Sequence, residues 1–179
     1  GIQKQLGVDE PDYGHLFDTM ECFRDVPADA LMQPKIEAEI AFVLKEDLSG
    51  GNVTAADVRR ATDYIVAAFE IVDSRIADWQ IKLPDTVADN ASSGRYVLGK
   101  KRVPLDDLDL RTVTMKMYKD GSPAGEGTGA AVMGDPCVSV AWLANCLGRY
   151  GVLLKKGEVI LSGAFSAAPP ISTSSVSKP

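Results

Sequence analysis

Residues 36–44 read IEAEIAFVL, and Ile36, Ala38, Ile40, Phe42 and Leu44 place apolar groups on one alternating face. A period of two reads as a β-strand. The second face opens with Glu37 and Glu39 and continues with Ala41 and Val43. A rise of about 3.3 Å per residue sets the Cα atoms of the two glutamates roughly 6.6 Å apart, so both carboxylates can address one ion. A strand that is apolar on both sides is normally buried, and paired negative charges in low dielectric are costly unless a cation or a proton relieves them. Oxygen ligands at this spacing suit a hard divalent ion, Mg²⁺ or Mn²⁺. An edge strand with one wet end accounts for the same pattern without an ion.

Outward from this strand, Gly50, Gly51 and Asn52 mark a turn and Thr54 an N-cap, followed by Val58, Ala61, Ile65, Val66 and Phe69 at helical spacing. That spacing predicts a helix ending near Glu70. An acid in the last turn faces the negative end of the macrodipole, so a metal ion or Arg75 is expected to compensate it. Residues 95–98 and 112–118 read as strands, the second closing on an Asp120-Gly121 hairpin signal. A second helix is expected from the Asp135 cap and Pro136 through Val140, Leu143 and Leu147, stopping before Gly151, and 159–161 reads as a further strand. Recurrent strands and hairpin signals favour an α+β fold with a mixed or largely antiparallel sheet over a doubly wound parallel one.

The chain's 179 residues suffice for one domain with a real core, and 45% hydrophobic and 25% charged residues are ordinary globular values. A net charge of −6 without a basic stripe argues against nucleic acid as a partner. No apolar stretch is read as a membrane helix and no signal-peptide layout as a leader, so the expected location is cytoplasmic. Cys22, Cys137 and Cys146 are odd in number and lack CxxC spacing, which reads as buried or inert thiols. With His15 as the one histidine and no GxSxG elbow, a histidine-based triad lacks material, and hard chemistry must rest on carboxylates. The serine-rich run 172–179 is expected to be a mobile tail.

Two polar segments remain. Residues 85–94, DTVADNASSG, are dense in small hydrogen-bonding side chains and read as a loop. Asp12, Tyr13, His15 and Asp18 form another patch, which composition favours as a solvated turn and which also has the groups for proton transfer.

In order and spacing, EPDYG at 10–14, QPKIEAEIAFVL at 33–44, FEIVDSRIADW at 69–79 and DTVADNASSG resemble the 2-keto-4-pentenoate hydratase group of the fumarylacetoacetate hydrolase family. The group also takes in the similar 4-oxalocrotonate decarboxylases, and the match runs to about Ala168. The resemblance implies a catalytic domain over 1–168, with 169–179 a flexible tail, built as a mixed β-roll flanked by helices and assembled into homo-oligomers. It implies Mg²⁺ or Mn²⁺ held by Glu37, Glu39 and Glu70, proton transfer by Asp12, and a pocket lined by Leu16. Asp85, Asp89, Asn90 and Ser92 match a segment close to the substrate in the family.

The implied activity is a lyase that adds water to 2-hydroxypenta-2,4-dienoate in aromatic catabolism, with a complex with a pathway partner enzyme among the arrangements the resemblance allows. The alternatives are decarboxylation of 4-oxalocrotonate (2-oxo-3-hexenedioate) and a non-catalytic, metal-stabilised partner subunit. Arg75, Lys82 and Arg95 are the candidates for recognising a second carboxylate. Family members also carry an N-terminal segment with a lysine in a GHKxGLT motif, just before the point where this sequence starts, and closing strands beyond SGAFSAA. Without these, a fragment of a longer enzyme and a truncated relative are both expected readings.

Overall fold

In the computed structural model, which describes residues 11–106 and 108–171, the alternating segment is strand β1, Lys35–Leu44. Thr54 caps a helix as its sequence position predicts. Its side chain accepts from the Asp57 N–H, and Asp57 Oδ2 accepts the Thr54 N–H at 2.9 Å, closing a capping box. The resulting helix α1 is short, Ala55–Ala61, and the expectation that it runs to Glu70 is corrected. Thr62–Val72 instead forms strand β2. Its sequence TDYIVAAFEIV is rich in β-branched and aromatic residues, which pack better on a pleated surface than on a helix. The four-residue steps from Ala61 to Ile65 and Phe69 imitate a helix, while Tyr64, Val66, Ala68 and Glu70 alternate along one face of the strand.

The segment expected to be a loop is a short helix α2, Leu83–Ala88, followed by a 3-10 turn at Asn90–Ser92. Pro84 sits in its first turn, and the Asp85 carboxylate accepts the Lys82 N–H at 2.9 Å. Beyond it run β3 (Ser93–Leu98), β4 (Thr114–Lys119), β5 (Ser122–Thr128), α3 (Pro136–Gly148) and β6 (Val159–Leu161). Asp120 and Gly121 take φ of 51° and 80°, the left-handed pair that a tight hairpin between β4 and β5 requires. Asp135 caps α3 by accepting the Cys137 N–H at 2.8 Å.

The main sheet has the order β3-β2-β1-β6, with antiparallel neighbours throughout, and β4 pairs with β5 in a separate hairpin. The chain is therefore α+β. Its two sheet faces differ in kind. On one, Ile40, Phe42 and Leu44 of β1 pack with Val58 and Ala61 of α1 and with Cys137, Val140, Ala141 and Ala144 of α3. Burial there stabilises by about 1.5–3 kcal/mol per large side chain. Residues 129–148 do have the 20-residue length and apolar character of a membrane span. The run is broken by left-handed Met133 and Gly134, and its inner side lies in this core, so it reads as a core helix. The opposite sheet face carries Glu37, Glu39 and Glu70, then Ala41, Val66 and Ala68 as a buried apolar floor.

Candidate metal centre

The register of β1 on β2 sets Glu37 directly opposite Glu70, and Glu39 opposite Ala68, so all three acids project from one face at one end of the strand pair. Carboxylate oxygens from the three lie within 4.8 Å of one another, with Glu37 and Glu39 buried and Glu70 partly so. Small side-chain movements would let one hard divalent ion among them take an oxygen from each.

Burial pushes the Glu39 carboxyl well above the usual carboxylate range, and the nearby Glu70 and Glu37 push it further, while a backbone hydrogen bond from Gly163 opposes them. Glu70 is also raised, first by burial, with the Ser93 hydroxyl lowering it and Asp12 raising it. The cause throughout is charge without solvent, which a divalent cation relieves more completely than a proton. Two donors fix the acids in place. Ser93 Oγ donates to Glu70 Oε1 at 2.6 Å, and the Gly163 N–H donates to Glu39 Oε2 at 2.7 Å. Gly163 has a φ of 112°, which side-chain-bearing residues adopt only with strain, so the donor's position depends on glycine.

Asp12 stands beside this group. Its carboxylate accepts the Thr86 hydroxyl of α2 at 3.0 Å, and its charge is felt at Glu70. The strip carrying Asp12 and the half-buried Leu16 is tied down by Asn90. The Asn90 side chain accepts the His15 N–H at 2.7 Å and donates to the His15 carbonyl at 2.9 Å, copying a strand pairing with a single side chain. The backbones approach so closely that a Cβ at Gly14 would sit 2.4 Å from the Asn90 carbonyl oxygen. The His15 ring is exposed and tilts over Phe17, while Tyr13 meets Trp142 edge-on.

Asn90, Ala91 and Ser92 all have φ near +55° (55°, 56° and 56°), three left-handed residues in a row. Such backbone costs about 1–3 kcal/mol per residue and persists only where its surroundings fix it. Here Arg75 does so. It donates through Nε and its backbone N–H to the Asp89 carboxylate, and through its guanidinium to the carbonyls of Asp73, Asp89 and Ser93. Arg75 therefore stabilises the turn and does not compensate Glu70, correcting that expectation. Asp85 is engaged in capping α2, and Ser92 is buried, 3.5 Å from Asp89 Oδ2. Arg95 pairs opposite Ile71, on the sheet face away from the acids, and Lys82 is exposed at the start of α2.

Four contributors were not assigned from the sequence: Thr86 as partner of Asp12, Ser93 as partner of Glu70, the Gly163 N–H, and Lys35. Lys35 continues the Glu37 face of β1, and its ammonium lies 4.2 Å from the Trp79 ring centroid. Burial lowers its pKa and the nearby Glu37 raises it. Alternation two residues before the ExE pair is the signal that could have found Lys35; the others depend on long-range folding. The three cysteines are free, and burial pushes the Cys137 thiol up to about 12, which leaves it inert.

A strand-borne trio of carboxylates on an antiparallel sheet has the donor set of a divalent-cation site. The chain belongs to the fumarylacetoacetate (FAA) hydrolase C-terminal family, whose model matches residues 23–176. It is 51% identical over 174 residues to the 2-hydroxyhexa-2,4-dienoate hydratase of Comamonas testosteroni, spanning 94% of this chain and 66% of that protein. It is 54% identical over 166 residues to the 2-keto-4-pentenoate hydratase of Paraburkholderia xenovorans, spanning 91% of this chain and 61% of that protein. Among solved structures, the 4-oxalocrotonate decarboxylase of Pseudomonas putida G7, complexed with magnesium and adipate, superposes with a TM-score of 0.86 at 39% identity. That superposition covers 95% of this chain and 65% of the decarboxylase. The chain thus spans between 61% and 66% of the length of these relatives.

Proposed function

We propose that the protein is a metal-dependent hydratase that converts 2-hydroxypenta-2,4-dienoate and water into 4-hydroxy-2-oxopentanoate. The observation that carries this is the convergence of Glu37, Glu39 and Glu70 within 4.8 Å on a poorly solvated strand pair. Identities of 51% and 54% to proteins named as hydratases, against 39% to the decarboxylase, favour hydration as the chemistry.

Glu37, Glu39 and Glu70 would hold Mg²⁺ or Mn²⁺, as magnesium is bound in the related decarboxylase. Such an ion, when bound, supplies a Lewis acid for the carboxylate and 2-oxygen of the substrate and for the negative charge that develops there. In the overall reaction the 2-hydroxyl loses its proton, C5 gains one, the water oxygen bonds to C4, and a proton ends at C3. Asp12 is assigned the proton movements, held by Thr86 and adjacent to Glu70 without belonging to the trio. Leu16 lines the apolar side, and Asn90 holds the strip that carries both residues. Asp85 and Ser92 serve through the wall of the site, the first by capping α2 and the second within the left-handed turn. A homo-oligomeric assembly and a cytoplasmic place of work belong to the same reading.

Decarboxylation of 2-oxo-3-hexenedioate is the second reading, favoured by the TM-score of 0.86 to the decarboxylase. Metal-loaded protein is incubated with each substrate while ultraviolet loss of the dienol and release of carbon dioxide are followed. Hydration without comparable carbon dioxide release is expected; efficient decarboxylation with negligible hydration would overturn the proposal.

A further inference from the structure

One more side chain of β1 shares the face of the acids. Lys35 lies two residues before Glu37, so its Cα is about 6.6 Å from that of Glu37 along the strand. A lysine stem spans such a step easily, which puts its ammonium within reach of a molecule bound on the ion. Its resting place is built. Trp79, over which the ammonium lies at 4.2 Å, is itself fixed by an indole N–H donated to the Gln33 carbonyl at 2.9 Å. Asp78 and Trp79 both adopt left-handed φ, of 55° and 54°, to deliver the ring there.

Among the described residues, Arg75 is committed to Asp89 and Arg95 to the far sheet face. Among the described residues, no ion pair within 4.0 Å engages Lys35. The charge balance of the site calls for such a group. Three carboxylates and that of a bound 2-oxo acid carry more negative charge than one divalent ion offsets, and an enolate adds to the excess.

We propose that Lys35 binds the carboxylate by which a 2-oxo or 2-hydroxydienoate acid attaches to the ion held by Glu37, Glu39 and Glu70. It therefore selects for the acid head of the substrate and is indifferent to the tail, and Trp79 keeps it aimed. The inference rests on the reading that this site takes a 2-oxo acid.

The test is calorimetric and needs no turnover. The full chain is titrated with Mn²⁺ alone and, once loaded, with 2-oxopentanoate, an unreactive acid with the same head group. Lys35→Met should weaken 2-oxopentanoate on the order of tenfold or more, as expected for truncating one partner of a desolvated charge pair. The same variant should bind Mn²⁺ as tightly as the wild type or more so, because a repelling cation has gone. Lys35→Arg should retain most of the 2-oxopentanoate affinity. Unchanged affinity in Lys35→Met, or equal loss in Lys35→Arg, overturns the assignment. So does a joint loss of Mn²⁺ and 2-oxopentanoate binding, the mark of a merely structural lysine. Failure of the wild type to bind 2-oxopentanoate would instead defeat the parent reading of the site, and this assignment with it.

Discussion

Glu39 is buried, accepts one backbone N–H, and feels two neighbouring carboxylates, so its ionised form depends on something positive between them. Glu39→Gln keeps an acceptor for the Gly163 N–H and removes the charge. Mn²⁺ affinity should fall by more than the roughly 10- to 100-fold typical of losing an outer-shell partner. The metal-free fold should be as stable as the wild type or more so, since a repelling charge has left a low-dielectric site. Titration calorimetry and thermal melts without metal check the two halves; unchanged Mn²⁺ affinity would remove Glu39 from the site. Glu37 and Glu39 were legible from the sequence because alternation along one strand is a local property. Ser93 and Gly163 were not, because their bonds to Glu70 and Glu39 join residues far apart in the chain.

At the scale of elements, the strained turn at Asn90–Ser92 links the parts of the site. It leads into β3, where Ser93 meets Glu70, and its Asn90 side chain holds the Asp12 strip through two hydrogen bonds. Asn90→Ala deletes both bonds at once, at about 0.5–1.5 kcal/mol each. The expected result is a thermal midpoint lower by a few degrees, turnover down about tenfold or more, and Mn²⁺ affinity little changed. Asn90→Asp, which keeps the acceptor for the His15 N–H, should lie between. Steady-state kinetics beside Mn²⁺ titration separates the outcomes: an equal loss of metal affinity would show that the turn supports the ion and not the Asp12 strip. This element was misread from sequence as a loop, since small polar residues serve turns and helix caps alike. Lys82-Leu83-Pro84-Asp85 held the helix-start signal, a proline in the first turn with an acid behind it. Glu70 was grouped with Glu37 and Glu39, beside which the strand pairing sets it, but through the wrong element. Ile65 and Phe69 fit a helical step, and only pairing with β1 shows that they belong to a strand.

At the scale of the whole molecule, the fold separates two jobs. The β1 face turned toward α1 and α3 supplies the packed core, and the opposite face holds acids that are costly to keep ionised without a cation. The consequence is a stability that depends on pH in opposite ways with and without metal. Glu39 and Glu70 are raised above their ordinary value of 4.5, so between that value and their folded values the native state binds more protons than the unfolded chain. Stability of the metal-free protein should then fall as pH rises through that window. Asp57 and Asp109, lowered to about 2, contribute the opposite trend, but only in more acidic solution, so the two effects do not overlap. A divalent ion binds the ionised acids and competes with those protons, so its stabilising effect should grow with pH over the same range. Thermal melts between about pH 5 and pH 8, with chelator or with excess Mg²⁺, should give a midpoint that declines with pH in chelator and holds level or rises in Mg²⁺. Parallel curves would mean that the three acids are not the groups the ion stabilises.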